Sequence, residues 1–361
     1  MTSATKAIYR SLSAKTTLFI QICKEFWQFA DDGERYYEKV VHSFLPALCT
    51  KWREAGTNHI VTIVLVSRVF YDQSEIDYAA GPLRRDDEGR CYKDFYRVMN
   101  DLEVVHDWKS TLASLKDSFW AFQRDILLTH HYHQASLGHS SALPHAPPLP
   151  RLVGQLSHAH DGPILEALNL SLNPTETHYI DRSLSLTGAS MIIITPGTGY
   201  FRVPKHLLRL TTTRLVDLGF AVDLVTLTKP PLHQSPIFCF WGVEPELKAG
   251  GGATGSTRSM DPLWGGDDDP RESLGRERTM FWWEPFWMSV SFWNRQMDLP
   301  FREDRCVGKT AVQLSSWLIK SISIGSLPVR GCTRFVRWAY STTTSCQVSR
   351  SRTCLSSTRR R

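Results

Sequence analysis

Thr16-Thr-Leu-Phe-Ile-Gln-Ile22 and His59-Ile-Val-Thr-Ile-Val-Leu-Val-Ser-Arg-Val-Phe70 decide the fold. Both are apolar and β-branched with almost no polar alternation, the pattern of strands buried on both faces. Between them, Tyr37, Val40, Val41, Phe44, Leu45, Leu48 and Trp52 recur at helical spacing. Asp31-Asp32-Gly33 offers the helix a cap, Pro46 predicts a kink, and Gly56 predicts its end.

The same alternation continues outward. Cys91–Asn100 reads as a third strand, and Asp107 is expected to cap a helix carrying Leu112, Leu115, Phe119, Phe122 and Ile126. Asp161-Gly162-Pro163 opens a helix with Leu165, Leu168 and Leu172 on one side. Met191–Thr195 is another buried strand. Pro204 and Gly219 bracket a helix in the usual Pro-in, Gly-out order, and Phe220–Leu227 is the next strand. Phe281–Trp293 alternates, placing Phe286, Met288, Val290 and Phe292 opposite Trp287, Ser289, Ser291 and Trp293. Strands interleaved with amphipathic helices predict an α/β fold, a doubly wound and mostly parallel sheet over roughly residues 16–300. Residues 133–151, rich in His, Ser and Pro, and residues 248–279, with Gly250-Gly251-Gly252 and Asp267-Asp268-Asp269, read as loop insertions.

Composition narrows the function classes. The apolar share, 42%, is ample for a packed core. The longest apolar runs are too short to cross a bilayer, and Met1–Leu18 has no apolar core of a secretory signal. A cytosolic protein, soluble or peripheral to a membrane, is expected. Eight cysteines occur with no C-x-x-C pair, so neither a zinc knuckle nor a thioredoxin-like site is indicated.

The net charge of +6 is carried by residues 306–361, which hold 10 of the 42 Lys and Arg and no acid. The rest of the chain sets 32 basic residues against 36 acidic ones, which is no footprint for nucleic acid. From Cys306 the composition turns to Ser, Thr, Cys and Arg without helix or strand period. A frameshifted or intron-derived tail is the preferred reading. A genuine basic tail for anionic lipid or nucleic acid is the alternative.

Several segments resemble the Iml family, the DEP-domain subunit of the complex called GATOR in animals and SEACIT in fungi. They include Leu18-Phe-Ile-Gln-Ile-Cys-Lys-Glu-Phe-Trp27, Phe44-Leu-Pro46 with Lys51-Trp52, and His59–Asp72. Further on lie Asp125-Ile-Leu-Leu-Thr-His-His-Tyr132, Gly162-Pro-Ile-Leu-Glu-Ala-Leu-Asn-Leu170 and Ile194-Thr-Pro-Gly-Thr-Gly-Tyr-Phe-Arg202. The last are Leu227-Thr-Lys-Pro-Pro-Leu-His-Gln-Ser-Pro236, Asp261-Pro-Leu-Trp-Gly265 and Trp282-Trp-Glu-Pro-Phe-Trp287. The resemblance covers residues 8–305. It implies a scaffold subunit of a Rag-GTPase-activating complex, cytoplasmic and peripheral on the vacuolar or lysosomal membrane. That subunit holds two nitrogen-permease-regulator-like subunits, engages the Rag GTPases and restrains TORC signalling when amino acids are scarce. The family's preceding N-terminal domain, its Rag-contacting domain and its DEP domain are expected to lie outside this chain. The expected organisation is a lead-in over 1–15, an α/β domain over 16–305 and a non-native or disordered tail over 306–361.

The element order also resembles a von Willebrand A domain, in which a D-x-S-x-S turn and a later Asp hold Mg²⁺ through hard oxygen ligands. Here those positions align with Gln21, Cys23 and Glu25, and with Ile194-Thr195-Pro196-Gly197. The expectation is a von Willebrand A-like fold with a degenerate metal site. The alternative is a metal-binding A-type adhesion module or enzyme.

No catalytic, cofactor-binding or metal-ligating residue is nominated. His130, His131 and His133 read as a polar helix end. Gly197-Thr198-Gly199 reads as a tight strand-to-helix turn lacking any nucleotide fingerprint, and Asp267–Asp269 as a solvated loop. Among arginines that could serve a GTPase in trans, nothing separates Arg68, Arg182, Arg202 and Arg214, and the resemblance puts that role on a partner. Trp282, Trp283 and Trp287 are the candidates for a partner-facing patch, with core packing the competing role.

Overall fold

Leu18, Phe19 and Ile20 are all buried, so the strand β1 (Ser13–Gln21) hides both faces, as a central parallel strand must. The computed structural model describes residues 13–79, 81–99, 102–103, 108–128, 152–178, 186–197, 199–228, 237–243, 261–265 and 278–293. The tail, Asp107, the histidines 130–133, residues 133–151, Arg182 and most of 248–279 lie outside them.

After β1 come α1 (Tyr36–Lys39), a π-helical segment (Val40–Phe44) and α2 (Leu45–Glu54). The helix starts later than the Asp31-Asp32-Gly33 cap predicted. Asp32 instead accepts the Glu34 amide at 3.3 Å, closing a turn, and pairs with the buried Lys39 at 2.7 Å. The Arg35 amide finds Glu38 three residues on, at 3.4 Å. Pro46 stands at the start of α2 rather than in the middle of a longer helix. Having no N–H to give, it follows a π segment in which the Leu45 amide reaches back to Val40. Gly56, at φ +68°, ends the helix.

The chain continues through β2 (Ile60–Tyr71), β3 (Arg84–Arg85), β4 (Cys91–Val98), β5 (Leu102–Glu103), α3 (Trp108–Leu127) and β6 (Gln155–Leu156). Then follow α4 (Ile164–His178), β7 (Leu186–Thr195), β8 (Phe201–Arg202), α5 (Lys205–Leu218), β9 (Val222–Thr226), β10 (Phe238–Val243), β11 (Arg278–Trp283) and β12 (Met288–Phe292). The main sheet runs β12-β9-β7-β1-β2-β4-β3, with β5 and β6 also pairing β2. Strands β12, β9, β7, β1 and β2 are parallel, and β4 is antiparallel.

One core lies between the sheet and α1–α3. It joins Leu18, Ile20, Ile63, Leu65, Ile192 and Ile194 to Phe44, Trp52, Phe119 and Phe122. Helices α4 and α5 pack together and bury Leu165, Leu168, Leu172, Leu208 and Leu215. Gly219 caps α5 at φ +67°. No helix among the described residues is long and apolar enough to cross a membrane.

Two expectations need correction. Phe281–Trp293 is not one strand, because Glu284-Pro285 interrupts it and proline lacks the amide a ladder needs. Thus β11 lies outside the main sheet and β12 forms its edge. Phe286 and Met288 do not share a face: Phe286 is exposed and Met288 buried. The turn at Gly197 leads first to β8 and only then to α5. The described residues divide into two compact units, 13–240 with 283–293, and 241–282. The smaller one holds the end of β10, a turn in which Asp261 accepts the Leu263 amide at 2.8 Å, and most of β11.

Candidate functional site

The chain leaves β1 toward β2 on one side and reaches β7 on the other. The carboxyl ends of β1 and β7 therefore form the topological switch point, where open α/β sheets place their ligands. Three loops meet there: the one after β1, residues 157–163, and the one after β7.

Gln21 stands at the centre and is 1% exposed. Its Nε2 donates to the Ala159 carbonyl at 2.7 Å, and its Oε1 accepts from Thr195 Oγ1 at 2.7 Å. Thr195 Oγ1 accepts in turn from the Gly197 amide at 3.0 Å. Glu25 ties the same loops from outside, accepting the Ala159 amide at 2.9 Å and lying 2.9 Å from His158 Nδ1. Burial pushes the Glu25 carboxyl up, but hydrogen bonds from its own amide, His158 and Cys23 outweigh it and hold the group below its ordinary range. The fully buried Cys23 thiol moves the other way, raised by burial and by Glu25.

A charged layer surrounds this centre. Arg68, buried on β2, contacts Asp94 Oδ1 at 2.6 Å, Glu166 at 2.8 Å and the Asp161 carbonyl at 3.1 Å. Its guanidinium carbon lies 4.1 Å from the Tyr92 ring centroid. Burial works against charge on Arg68, but Glu166 and Asp94 overcome it and keep the guanidinium protonated. Burial pushes the Glu166 carboxyl up while Arg68 opposes. The Asp161 carboxylate draws in Arg90 and Arg202, each at 3.4 Å. Arg202 also meets Glu88 at 2.8 Å and donates to His160 Nε2 at 3.1 Å. His160 stacks between His158 and Tyr200, with centroids 5.6 and 5.3 Å away. Burial lowers the His160 pKa, consistent with a neutral ring accepting from Arg202.

The positions of an A-type metal centre are thus present, but their chemistry does not fit Mg²⁺. Both polar atoms of Gln21 are spent on the protein, the Cys23 thiol is protonated and soft, and Thr195-Pro196-Gly197 supplies no carboxylate. Among the described residues no group of three His, Cys, Asp or Glu is placed to hold a metal ion. Among the described residues the buried hydroxyl of Ser157 has no hydrogen-bond partner, and a single hydroxyl makes no ion site.

The described arginines that sequence left unseparated are all engaged: Arg68 and Arg202 as above, and Arg214 with the Asn169 carbonyl at 2.9 Å and Asn173 at 2.7 Å. Of the tryptophans, Trp287 belongs to the core, its Nε1 donating to Thr212 Oγ1 at 3.2 Å, which removes it from the partner-facing candidates. Trp283 is half-buried and Trp282 exposed. Sequence reasoning missed Asp161 as an ion-pair centre and Arg90 as its partner. Nothing local marks that pairing across 71 residues.

The family described as vacuolar membrane-associated protein Iml1, vWA-like domain, matches residues 13–240, from the first residue of β1 to the middle of β10. The chain belongs to this Iml1 family. It is 38% identical over 244 residues to the GATOR complex protein Iml1 of Drosophila melanogaster, covering 66% of this chain and 15% of that protein. A DEP domain-containing protein of Dictyostelium discoideum is 37% identical over 237 residues, 66% of this chain and 10% of its own length. The vacuolar membrane-associated protein iml1 of Aspergillus fumigatus is 33% identical over 339 residues, 84% of this chain and 18% of its own. This Iml1-family chain therefore spans between a tenth and a fifth of those relatives. The expected von Willebrand A-like α/β fold is borne out by the family match and by the sheet.

Proposed function

We propose that this chain is a non-catalytic scaffold segment of a Rag-GTPase-activating complex. It works on the vacuolar or lysosomal surface without crossing the membrane. There the complete protein holds two nitrogen-permease-regulator-like subunits, engages the Rag GTPases and restrains TORC signalling during amino-acid starvation. The names of the relatives support complex membership and membrane association: GATOR complex protein in the fly, vacuolar membrane-associated protein in the fungi. The assembling unit is the α/β domain of residues 16–305, with 1–15 as lead-in and 306–361 outside it.

The observation that carries the non-catalytic part is the closed switch point. Gln21, Thr195 and Glu25 spend their polar atoms on one another and on the 157–163 loop, and Arg68 is taken up by Asp94, Glu166 and the Asp161 carbonyl, so the arginine beside the switch point is not free for a phosphate. The fold is accordingly metal-free. GTP hydrolysis by purified Rag GTPases should stay at its intrinsic rate when this chain alone is added. Acceleration would contradict the reading. Millimolar Mg²⁺ should leave the chain's melting temperature unchanged, since specific binding would raise it by mass action.

A further inference from the structure

A divalent cation at the crown of an A-type fold draws oxygen ligands from several loops together. In this chain the same loops are joined by one neutral side chain. The Gln21 carboxamide carries a donor and an acceptor on one rigid plane. The donor holds the 157–163 loop through the Ala159 carbonyl, and the acceptor holds the β7 loop through Thr195. A carboxylate at this position has no proton for the Ala159 carbonyl unless it is itself protonated.

Packing gives an independent observation. A Cβ on Gly162 would collide with the Gln21 amide nitrogen, and a Cβ on Gly197 would lie 2.6 Å from the Ala159 Cβ. The loops close directly onto the amide, at distances that admit neither an ion nor its water. Gln21 itself is almost wholly buried, so an unmade bond there carries a desolvation cost.

We propose that Gln21 is a positioning residue that replaces the cation as the cross-tie of the three loops, making the shape of the crown independent of divalent ions. The proposal rests on the metal-free reading above. Amide hydrogen exchange on the full chain tests it, read at residues 157–162 in EDTA and in millimolar Mg²⁺, with α5 as internal control. Wild-type protection should be the same in both buffers. Gln21→Met keeps the bulk and loses both bonds, so exchange at 157–162 should rise about tenfold with no rescue by Mg²⁺. Gln21→Glu should match wild type only at acidic pH. Its protonated form alone can donate, so its folded pKa is raised and protection is lost as pH rises through that value. This pH series decides the matter if Gln21→Met does not fold. Faster wild-type exchange in EDTA would overturn the metal-free reading and the proposal together. Wild-type exchange in both variants at every pH would overturn the Gln21 tie alone.

Discussion

Arg68 shows at the residue scale how much the crown depends on single groups. It is the cation shared by Asp94 and Glu166, all three side chains being about a tenth exposed or less. Removing it strands two buried carboxylates, which typically costs about 3–5 kcal/mol. Arg68→Met should lower the unfolding free energy by that amount in urea titrations. A loss below about 1 kcal/mol would mean that the cluster is already open to water. Asp223 poses the opposite case. It is half-buried on β9 beside the Ser289 hydroxyl, and desolvation raises its carboxyl pKa against the pull of that bond. A raised carboxyl stabilises the fold below its unfolded pKa, and that contribution is lost as pH rises through the folded value. Asp223→Asn should therefore gain on wild type as pH rises above about 4, the ordinary aspartate value. A gap that does not change with pH would remove Asp223 as the cause.

At the scale of elements, the ends of helices are set by backbone conformations that a few residues control. Gly219 caps α5 in the left-handed region, where a side chain costs about 1–2 kcal/mol. Gly219→Ala should show that loss in thermal unfolding, and an unchanged melting point would place the end of α5 elsewhere. Elements such as β1, β2, α3 and α5 are legible in sequence because each buries a continuous apolar run or stripe that no other conformation hides. The start of α1 was not legible, because Asp32 was drawn away to Lys39 seven residues on. Pro285 was visible in the sequence, yet the alternation around it read as one strand. The crown is illegible for another reason. Gln21 and Ala159 are 138 residues apart, and only the sheet order brings them together. Sequence could say what Gln21 replaces, but not what it holds.

For the whole molecule, the main sheet and the helices packed on it carry a crown whose polar groups are turned inward. The crown's arginines, carboxylates and amides serve the fold, while the surface carries exposed charges such as Arg53, Arg84 and Arg85 beside apolar side chains such as Phe29, Trp120 and Leu170. The family match covers residues 13–240, from β1 into β10, and the chain spans only 10% and 15% of the Dictyostelium and Drosophila relatives. The most direct measurement is co-purification of the folded chain with the two nitrogen-permease-regulator-like subunits, mixed singly and together. The scaffold account predicts retention of at least one of them through size-exclusion chromatography. A folded chain that elutes free of both would contradict it.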